Sequence, residues 1–281
     1  ELDAANIDGL ILDLRGNGGG FLFEAYSLAK LFIGRGNVVQ VMEANGTLQS
    51  LGHNLGQQNY DGPIVILVDK LSASASEILA GAFQDYKRGL IVGSNTFGKG
   101  TVQRLENLSY GQLKFTEQKF YRVSGKSTQN LGVIPDINLP YVFDSEEVGE
   151  MALENSLPYD DISSLEYEPF NSTSNIEMIQ SFSKKRVSDS NLNEYIKDQK
   201  IHNKNELDKK LIPVNYLVRK SEKKAQEEKR LFIENRFRVS VGLKPYLNFQ
   251  EFLDADPEEL NEFSEKMVLE EAARILIDQI N

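Results

Sequence analysis

The chain has 281 residues, more than one domain usually holds, so two structural units are expected. Hydrophobic residues make up 40% and charged residues 26%, which is typical of a folded globular protein and argues against disorder. A net charge of -11 disfavours nucleic acid as a partner, because that binding needs clustered Lys and Arg. The absence of cysteine excludes disulfides, a thiolate nucleophile and cysteine metal sites.

The first half of the chain alternates between strand and helix patterns. Strands are expected at 9–14, 38–42, 64–68, 90–92, 112–115 and 120–123, and helices at 21–32 and 74–86. The glycine-rich run 15–20 joins the first strand to the first helix, and a turn at 132–136 closes the series. The pattern predicts an α/β core that ends near Tyr141.

The second half of the chain is more acidic than the first. Only 12 basic and 14 acidic residues precede residue 145, so most of the net charge of -11 lies beyond it. Residues 146–174 are expected to form a linker or a segment that wraps the core. We therefore predict two domains, an α/β core at 1–143 and an acidic, mainly helical domain at 144–281.

Two long helices are predicted in the acidic domain. Residues 214–236 are rich in charge and read as one helix. The last helix has a start signal, with Asp256 as N-cap, Pro257 in the first turn and Glu259 three residues after the cap. The longest apolar runs, such as 64–68, are too short to cross a membrane, and no secretory signal pattern opens the chain.

Three serines, Ser72, Ser74 and Ser76, lie where the strand at 64–68 passes into the helix at 74–86. The free N–H groups at a helix N-terminus stabilise negative charge on an attacked oxygen, so this place suits a nucleophile. Helix capping is the competing interpretation. The local pattern does not decide between the two.

A serine nucleophile needs a base, which is usually histidine. The chain has two histidines, His53 in a polar loop and His202 in a charged stretch, and His202 is expected to be a solvent-exposed bystander. A lysine also serves when burial lowers its pKa from about 10.4 toward roughly 7 to 8. The candidate is Lys99, because Gly98 and Gly100 let the backbone pack closely around it.

Two other interpretations of the Lys99 segment stay open. Residues 93–99 match the first part of a phosphate-binding loop, but Gly100 stands where Ser or Thr should follow the lysine and Thr101 comes one place late. The second interpretation is a structural loop in which the lysine is solvated. In the catalytic interpretation, Gln103 is placed to orient the amine by a hydrogen bond.

An oxyanion also needs donors. Gly18, Gly19 and Gly20 follow a strand and precede a helix, so an N–H group of this turn and that of Ala75 are candidates to bind the same oxygen. Glycine turns also serve simply to connect a strand to a helix.

Four motifs together resemble the C-terminal processing peptidases, or tail-specific proteases. They are DLRGNGGG at 13–20, SASASEI at 72–78, TFGKGTVQ at 96–103 and GVIPDI at 132–137. The resemblance implies a crotonase/ClpP-like catalytic core, present here in part. A PDZ domain precedes the first motif in that family, and this chain opens at Glu1 without it, so we expect upstream sequence in the natural protein.

The resemblance also assigns roles to residues. It implies that Ser74, the middle serine, is the nucleophile and that Lys99, 25 positions later, is the base. Gln103 matches the residue that orients the lysine, and the oxyanion donors map to Gly20 and Ala75.

The second half resembles the extension of the longer, periplasmic tail-specific proteases, through NSLPYD at 155–160 and RLFIENR at 230–236. The chain as a whole is therefore identified as a serine endopeptidase with a Ser/Lys dyad that cleaves proteins recognised by an exposed apolar C-terminus. The resemblance implies the bacterial periplasm, no metal and no organic cofactor. For the C-terminal region three roles stay open, namely clasping the core, binding an adaptor protein and forming an oligomer.

Two rival functions stay open at this point. One is a non-catalytic peptide-binding or scaffold module, whose core is too incomplete to assemble a site. The other is an acyl-CoA enzyme of the crotonase type, which has a similar fold and a glycine-lined oxyanion hole but no evident task for a Ser/Lys pair.

Overall fold

The computed structural model of the chain describes residues 7–52, 58–143, 147–170, 175–209, 211–255 and 257–280, and only the backbone of 257–264. The chain forms two compact units, one of Glu1–Gln180 with Ala272–Asn281 and the other of Ser181–Glu271. The domain boundary expected between residues 143 and 144 stays a prediction, because compact units and sequence-defined domains divide a chain on different grounds.

The elements follow one another in the order expected of an α/β region and then a helical one. The strands are β1 Leu10–Asp13, β2 Val39–Glu43, β3 Leu48–Leu51, β4 Ile64–Val68, β5 Leu90–Gly93, β6 Thr101–Asn107, β7 Gln112–Tyr121 and β8 Ile137–Asn138. The helices are α1 Leu22–Ile33, α2 Ala75–Asp85, α3 Ile176–Ser188, α4 Asn191–Leu207, α5 Tyr216–Ser240, α6 Phe249–Asp254 and α7 Pro257–Ile280. The α/β fold class and the mainly helical C-terminal region are confirmed.

The first sheet is parallel and has the strand order β1-β4-β5-β8. Leu10 lies opposite Ile64, and Val65 lies opposite Leu90. All residues of β4 and β5 are buried, which explains why these strands read as continuous apolar runs and not as alternating ones. Because the strands are parallel, the loops after β1 and β4 leave the sheet at the same edge.

The second sheet is antiparallel and has the order β3-β2-β7-β6. The expectation of two strands at 112–115 and 120–123 is wrong, since one strand, β7, runs unbroken from Gln112 to Tyr121. The polar residues between them lie on a long hairpin, where pairing with β6 and β2 holds the backbone extended. The sequence analysis also missed β3, whose residues are largely exposed and supply little hydrophobic pattern.

The hydrophobic core of the first unit lies between the parallel sheet and the helices α1 and α2. Ile66 of β4 and Phe83 of α2 are fully buried in it, as is Ala29 of α1. Phe32 of α1 contacts Phe83 with ring centroids 5.5 Å apart. This packing fixes the start of α2 directly after the loop that leaves β4.

The segment predicted at 146–174 as a linker or wrapping segment is fastened to the first unit wherever it is described. Its backbone N–H groups at Ile162, Leu165 and Phe170 donate to carbonyls of the core at 2.9, 2.8 and 2.7 Å. Apart from a short 3-10 turn at Glu150–Ala152, it has no long regular element in the described residues. Backbone hydrogen bonds to the core therefore replace its own secondary structure.

The second unit is built from helices. The helix predicted at 214–236 is confirmed as α5, and Phe237 of α5 stacks on Tyr195 of α4 at 4.4 Å between ring centroids. The expectation that His202 is solvent-exposed is wrong, because it lies in α4 with 9% of its surface accessible, and burial lowers its pKa. The amphipathic spacing of α4 was too weak to predict the burial of His202.

The final helix is confirmed as Pro257–Ile280, while its expected N-cap, Asp256, lies outside the described residues. Within the described residues, none of the helices combines the length and the apolar character that crossing a bilayer requires.

The fully buried β4 makes a direct test of the core. We expect Ile66→Ala to lower the free energy of unfolding by about 2 to 5 kcal/mol, because it leaves a cavity against α2. Leu105→Ala, at a side chain 60% exposed on β6, serves as the control and should change it little. Denaturant unfolding followed by circular dichroism measures both, and equal losses would contradict this description of the core.

Candidate active site

Ser74 occupies the turn between a buried strand and a buried helix. It is the N-cap of α2 and has φ 57° and ψ -113°, a backbone conformation that residues other than glycine rarely adopt. Such strain persists only where the surrounding structure holds it, and it recurs at nucleophiles placed on a strand-to-helix turn. The backbone geometry thus distinguishes Ser74 from an ordinary capping serine.

The hydrogen bonds of the three serines separate their roles. The Ser72 hydroxyl donates to Leu14 O at 2.7 Å, and the Ser76 hydroxyl donates to Asn17 O at 3.0 Å. Both side chains are buried. They join residues 69–76, which we call the serine loop, to the segment that follows β1. The hydroxyl of Ser74, by contrast, donates its proton to no acceptor among the described residues.

The glycine turn after β1 lies against the serine loop. Ala73 N donates to Asn17 O at 3.0 Å, and Gly16 N donates to the Asp69 carboxylate at 3.0 Å. Gly19 has φ 96°, and a Cβ added there would stand 2.6 Å from Ala73 O and 2.9 Å from the Ser74 side chain. Only glycine allows this approach of the two loops.

The backbone N–H groups of Gly20 and Ala75 have no acceptor within the described part of the chain, whereas Gly19 N donates to the Asn17 side chain at 2.9 Å. Gly20 and Ala75 line the same cavity, of about 170 Å³. The cavity wall is completed by apolar side chains, among them Leu14, Ala25, Leu28 and Leu79. Two unpaired donors at one cavity can stabilise an oxyanion there.

Lys99 lies on the loop before β6 and is half-buried. The structure shows no hydrogen bond between its Nζ and Ser74 Oγ, although both residues are described. Gln103 is on β6, beside a bulge at Val102, and its exposed side chain makes no hydrogen bond to another described residue. Hydrogen bonds between catalytic groups are often long or misaligned without substrate.

The backbones of the two candidate residues nevertheless meet at one carboxylate. Ser74 N donates to Glu77 Oε2 at 2.8 Å, and Lys99 N donates to the same oxygen at 2.9 Å. The structure thus brings the segments of Ser74 and Lys99 together through a residue that the sequence analysis did not assign. The spacing of Ser74 and Glu77, a serine with a glutamate three residues later, is a capping-box signal that could have identified it.

The Glu77 carboxyl is completely buried, and burial raises its pKa to about 7 while its hydrogen bonds act in the opposite direction. Lys70 is also buried, with 2% of its surface accessible and its Nζ 2.7 Å from Thr96 O. Burial lowers the pKa of Lys70, and the charge of Glu77 acts against that shift. The deeply buried lysine of this region is therefore Lys70.

The other sequence candidates fare differently. His53 lies outside the described residues, so a base at that position is not placed. The phosphate-loop interpretation of residues 93–99 is wrong, because the chain passes from Lys99 into the strand β6, whereas such a loop opens a helix.

Two family models match the chain almost end to end. Peptidase family S41 matches residues 1–139, and the C-terminal domain of tail specific protease matches residues 143–281. The chain belongs to the tail-specific protease family, with an S41 peptidase region followed by the C-terminal domain of these proteins.

Individual relatives agree with the family models. A tail-specific protease of Haemophilus influenzae is 39% identical over 245 residues, covering 82% of this chain and 35% of its own length. A carboxyl-terminal-processing protease of Synechocystis is 41% identical over 137 residues, covering 48% of this chain and 32% of its own. The chain thus spans about a third of the length of these relatives.

Among solved structures, a photosystem II D1 C-terminal processing protease is 37% identical and covers 51% of this chain and 38% of its own, with a TM-score of 0.44.

The contact of Gly19 with the serine loop predicts a sharp difference between neighbouring glycines. Gly19→Ala should destabilise the first unit by about 1 to 3 kcal/mol, because the new methyl group overlaps Ala73 O and the positive φ is unfavourable. Gly18→Ala is the matched control, since a Cβ there meets nothing within 4 Å. Denaturant unfolding and amide exchange at residues 72–76 measure the effect, and an equal response of the two variants would rule out the close contact.

Proposed function

We propose that the chain is the catalytic part of a serine endopeptidase in which Ser74 is the nucleophile and Lys99 the base. The observation that carries this proposal is the shared hydrogen bonding of Ser74 N and Lys99 N to one oxygen of Glu77. It holds the nucleophile and base segments next to each other. The Ser74 hydroxyl proton, which no described acceptor binds, is the proton that a base must remove.

The steps of the proposed reaction follow from these positions. Ser74 Oγ attacks the scissile carbonyl carbon while the neutral amine of Lys99 takes its proton, and the carbonyl oxygen becomes an oxyanion. The N–H groups of Gly20 and Ala75 donate to that oxyanion. Lys99 then returns the proton to the leaving amine, and water hydrolyses the acyl ester on Ser74 with Lys99 again as base. Gln103 orients the lysine amine.

The proposed substrates are proteins recognised by an exposed apolar C-terminus. The relatives named as tail-specific and carboxyl-terminal-processing proteases support this class. The apolar lining of the cavity at Gly20 and Ala75 supports it too, since an apolar side chain next to the scissile bond would be desolvated there. A periplasmic location, implied by the family resemblance, and an adaptor bound by the C-terminal region remain parts of the proposal.

A second candidate function is a non-catalytic peptide-binding module. One observation favours it, namely the lack of a hydrogen bond between Ser74 Oγ and Lys99 Nζ within the described residues. A bound peptide would then occupy the cavity without being cleaved. Covalent labelling of Ser74 separates the two functions, because a binding module has no need of a reactive serine.

The first test is degradation of an unfolded reporter with either an apolar or a charged C-terminal tail. The chain should cleave the apolar-tailed reporter faster, and Ser74→Ala should abolish cleavage. Lys99→Ala should slow it by about 100-fold to 10,000-fold, the usual contribution of a general base. Ser109→Ala and Lys114→Ala, at exposed positions of the β6–β7 hairpin, are the matched controls and should retain the activity.

Labelling of Ser74 by a serine-directed phosphonate provides the second readout. Labelling that is lost in Ser74→Ala and slowed in Lys99→Ala would support the dyad. A folded wild-type chain that neither cleaves a reporter nor reacts with the phosphonate would overturn the proposal and leave the binding module.

The role of Gln103 has its own test. Removing one hydrogen bond to a charged group costs about 1.5 to 3 kcal/mol, so Gln103→Ala should lower kcat by roughly 10-fold to 100-fold. Because Gln103 is exposed on β6, the thermal unfolding midpoint should stay unchanged. Full activity in this variant would remove Gln103 from the mechanism and leave the roles of Ser74 and Lys99 intact.

A further inference from the structure

We propose that ionised Glu77 is a positioning residue for the Ser74 and Lys99 segments, and that the buried ammonium of Lys70 is its counter-charge. The inference rests on the proposed function for its catalytic consequence. The pairing of the two buried charges rests on Thr96, which hydrogen-bonds to both residues.

The Glu77 carboxylate is surrounded by donors. Its Oε1 accepts from Thr96 Oγ1 at 2.6 Å and from Gly98 N at 2.7 Å. Its Oε2 accepts from Ser74 N at 2.8 Å and from Lys99 N at 2.9 Å. A carboxylate has about four lone-pair sites, so these four donors use its full capacity.

The proton of the Thr96 hydroxyl is also accounted for. Val133 N donates to Thr96 Oγ1 at 2.7 Å, so this oxygen acts as an acceptor there and its single proton is available for Glu77. A protonated Glu77 would have to displace one of its four donors. The arrangement around the carboxyl therefore fits the ionised form.

An ionised carboxylate in a protein interior needs an opposite charge as well as hydrogen bonds. Lys70, on the loop after β4, is placed to supply it, because its Nζ donates to Thr96 O at 2.7 Å and the Thr96 hydroxyl donates to Glu77 Oε1 at 2.6 Å. The charge of Glu77 also raises the pKa of Lys70, against the effect of burial. Gly149 closes this region, because a Cβ added to it would stand 3.1 Å from Lys70 Nζ. The charge pair is thus shielded from water on the side of Gly149.

The catalytic consequence follows from the shared oxygen. Ser74 and Lys99 cannot move apart along their backbones without breaking a hydrogen bond to Glu77 Oε2. Protonation of Glu77 would release one of these donors and misalign the nucleophile and the base. Activity should therefore fall as the pH drops through the pKa of Glu77, which burial raises to about 7.

The positive charge of Lys70 affects the pH at which the activity falls. The groups that donate to the carboxylate are the backbone N–H groups of Ser74, Gly98 and Lys99 and the Thr96 hydroxyl, and the Lys70 ammonium binds the carbonyl oxygen of the same Thr96. Removing the positive charge disfavours the ionised carboxylate and raises its pKa. We expect Lys70→Met to move the acid limb of the pH–activity profile upward by about one pH unit or more. Lys70→Arg keeps the charge and should leave the limb near its wild-type position.

Glu77→Gln tests the positioning itself. The amide nitrogen of Gln is a donor, so wherever it lies it faces two of the existing donors and cannot bind them. We expect at least a 100-fold loss of phosphonate labelling at Ser74, on the order of the loss of an activating group. Glu177→Gln, at an exposed position of α3, and Lys184→Met, also exposed on α3, are the matched controls and should behave like wild type.

A stability cycle tests the charge pair independently of activity. The midpoints of thermal unfolding are compared for wild type, Lys70→Met, Glu77→Gln and the double variant. Each single variant should unfold at a lower temperature, and the double variant should lose less than the two single losses combined. Additive losses together with an acid limb that Lys70→Met leaves in place would overturn the inference.

These readouts keep the two proposals apart. One outcome is that wild type reacts at Ser74, Lys70→Met leaves the acid limb of the pH–activity profile unchanged and Glu77→Gln remains reactive. The protease function then stands, and the positioning role of Glu77 fails. If wild type does not react at all, the proposed function fails, and the stability cycle still decides whether Lys70 and Glu77 form a pair.

Discussion

The carboxylate of Glu77 is the point on which the candidate site depends. It lies at the start of α2 without access to solvent, and its two oxygens bind the backbones of Ser74, Gly98 and Lys99 together with the hydroxyl of Thr96. Those backbones belong to segments that are far apart in sequence. A single side chain therefore joins the loop after β4 to the loop before β6.

The parallel sheet makes that junction possible. Since β1 and β4 end at the same edge, the glycine turn and the serine loop meet there, and hydrogen bonds at Ala73 and Ser76 join them. The fully buried β4 and α2 leave little freedom in the loop between them. The positive φ of Ser74 is sustained by this surrounding packing and by the Glu77 hydrogen bond.

The site also shows how one kind of residue takes different tasks in different surroundings. Ser72 and Ser76 bind the core with their hydroxyls, while the hydroxyl of Ser74 donates to no acceptor in the described part of the chain. Lys70 is buried against Thr96 O, whereas Lys99 is half-buried and presents its backbone to Glu77. The placement of the side chain, more than its chemical type, separates the proposed catalytic members from the structural ones.

Much of this could be predicted from the sequence. The continuous apolar run of β4 and the periodic spacing of α1 and α2 predicted their elements closely, because local pattern and final burial agree there. The motif spacing identified the family and singled out Ser74 and Lys99. The single strand β7 was divided in two, since its polar middle is held extended by neighbouring strands and not by its own composition.

The charged interior was decided by tertiary structure alone. Burial of Glu77 and Lys70 arises from loops that converge from separate parts of the chain, so neither their pKa shifts nor their hydrogen bonds can be read from local sequence. The same holds for His202, which its charged neighbours suggested to be exposed and which is buried in α4. Most of the α/β elements and the residues of the family motifs could be predicted from local sequence, because apolar periodicity and motif spacing are properties of neighbouring residues. Desolvation and hydrogen-bond partners depend on non-local packing, and only the folded chain decided them.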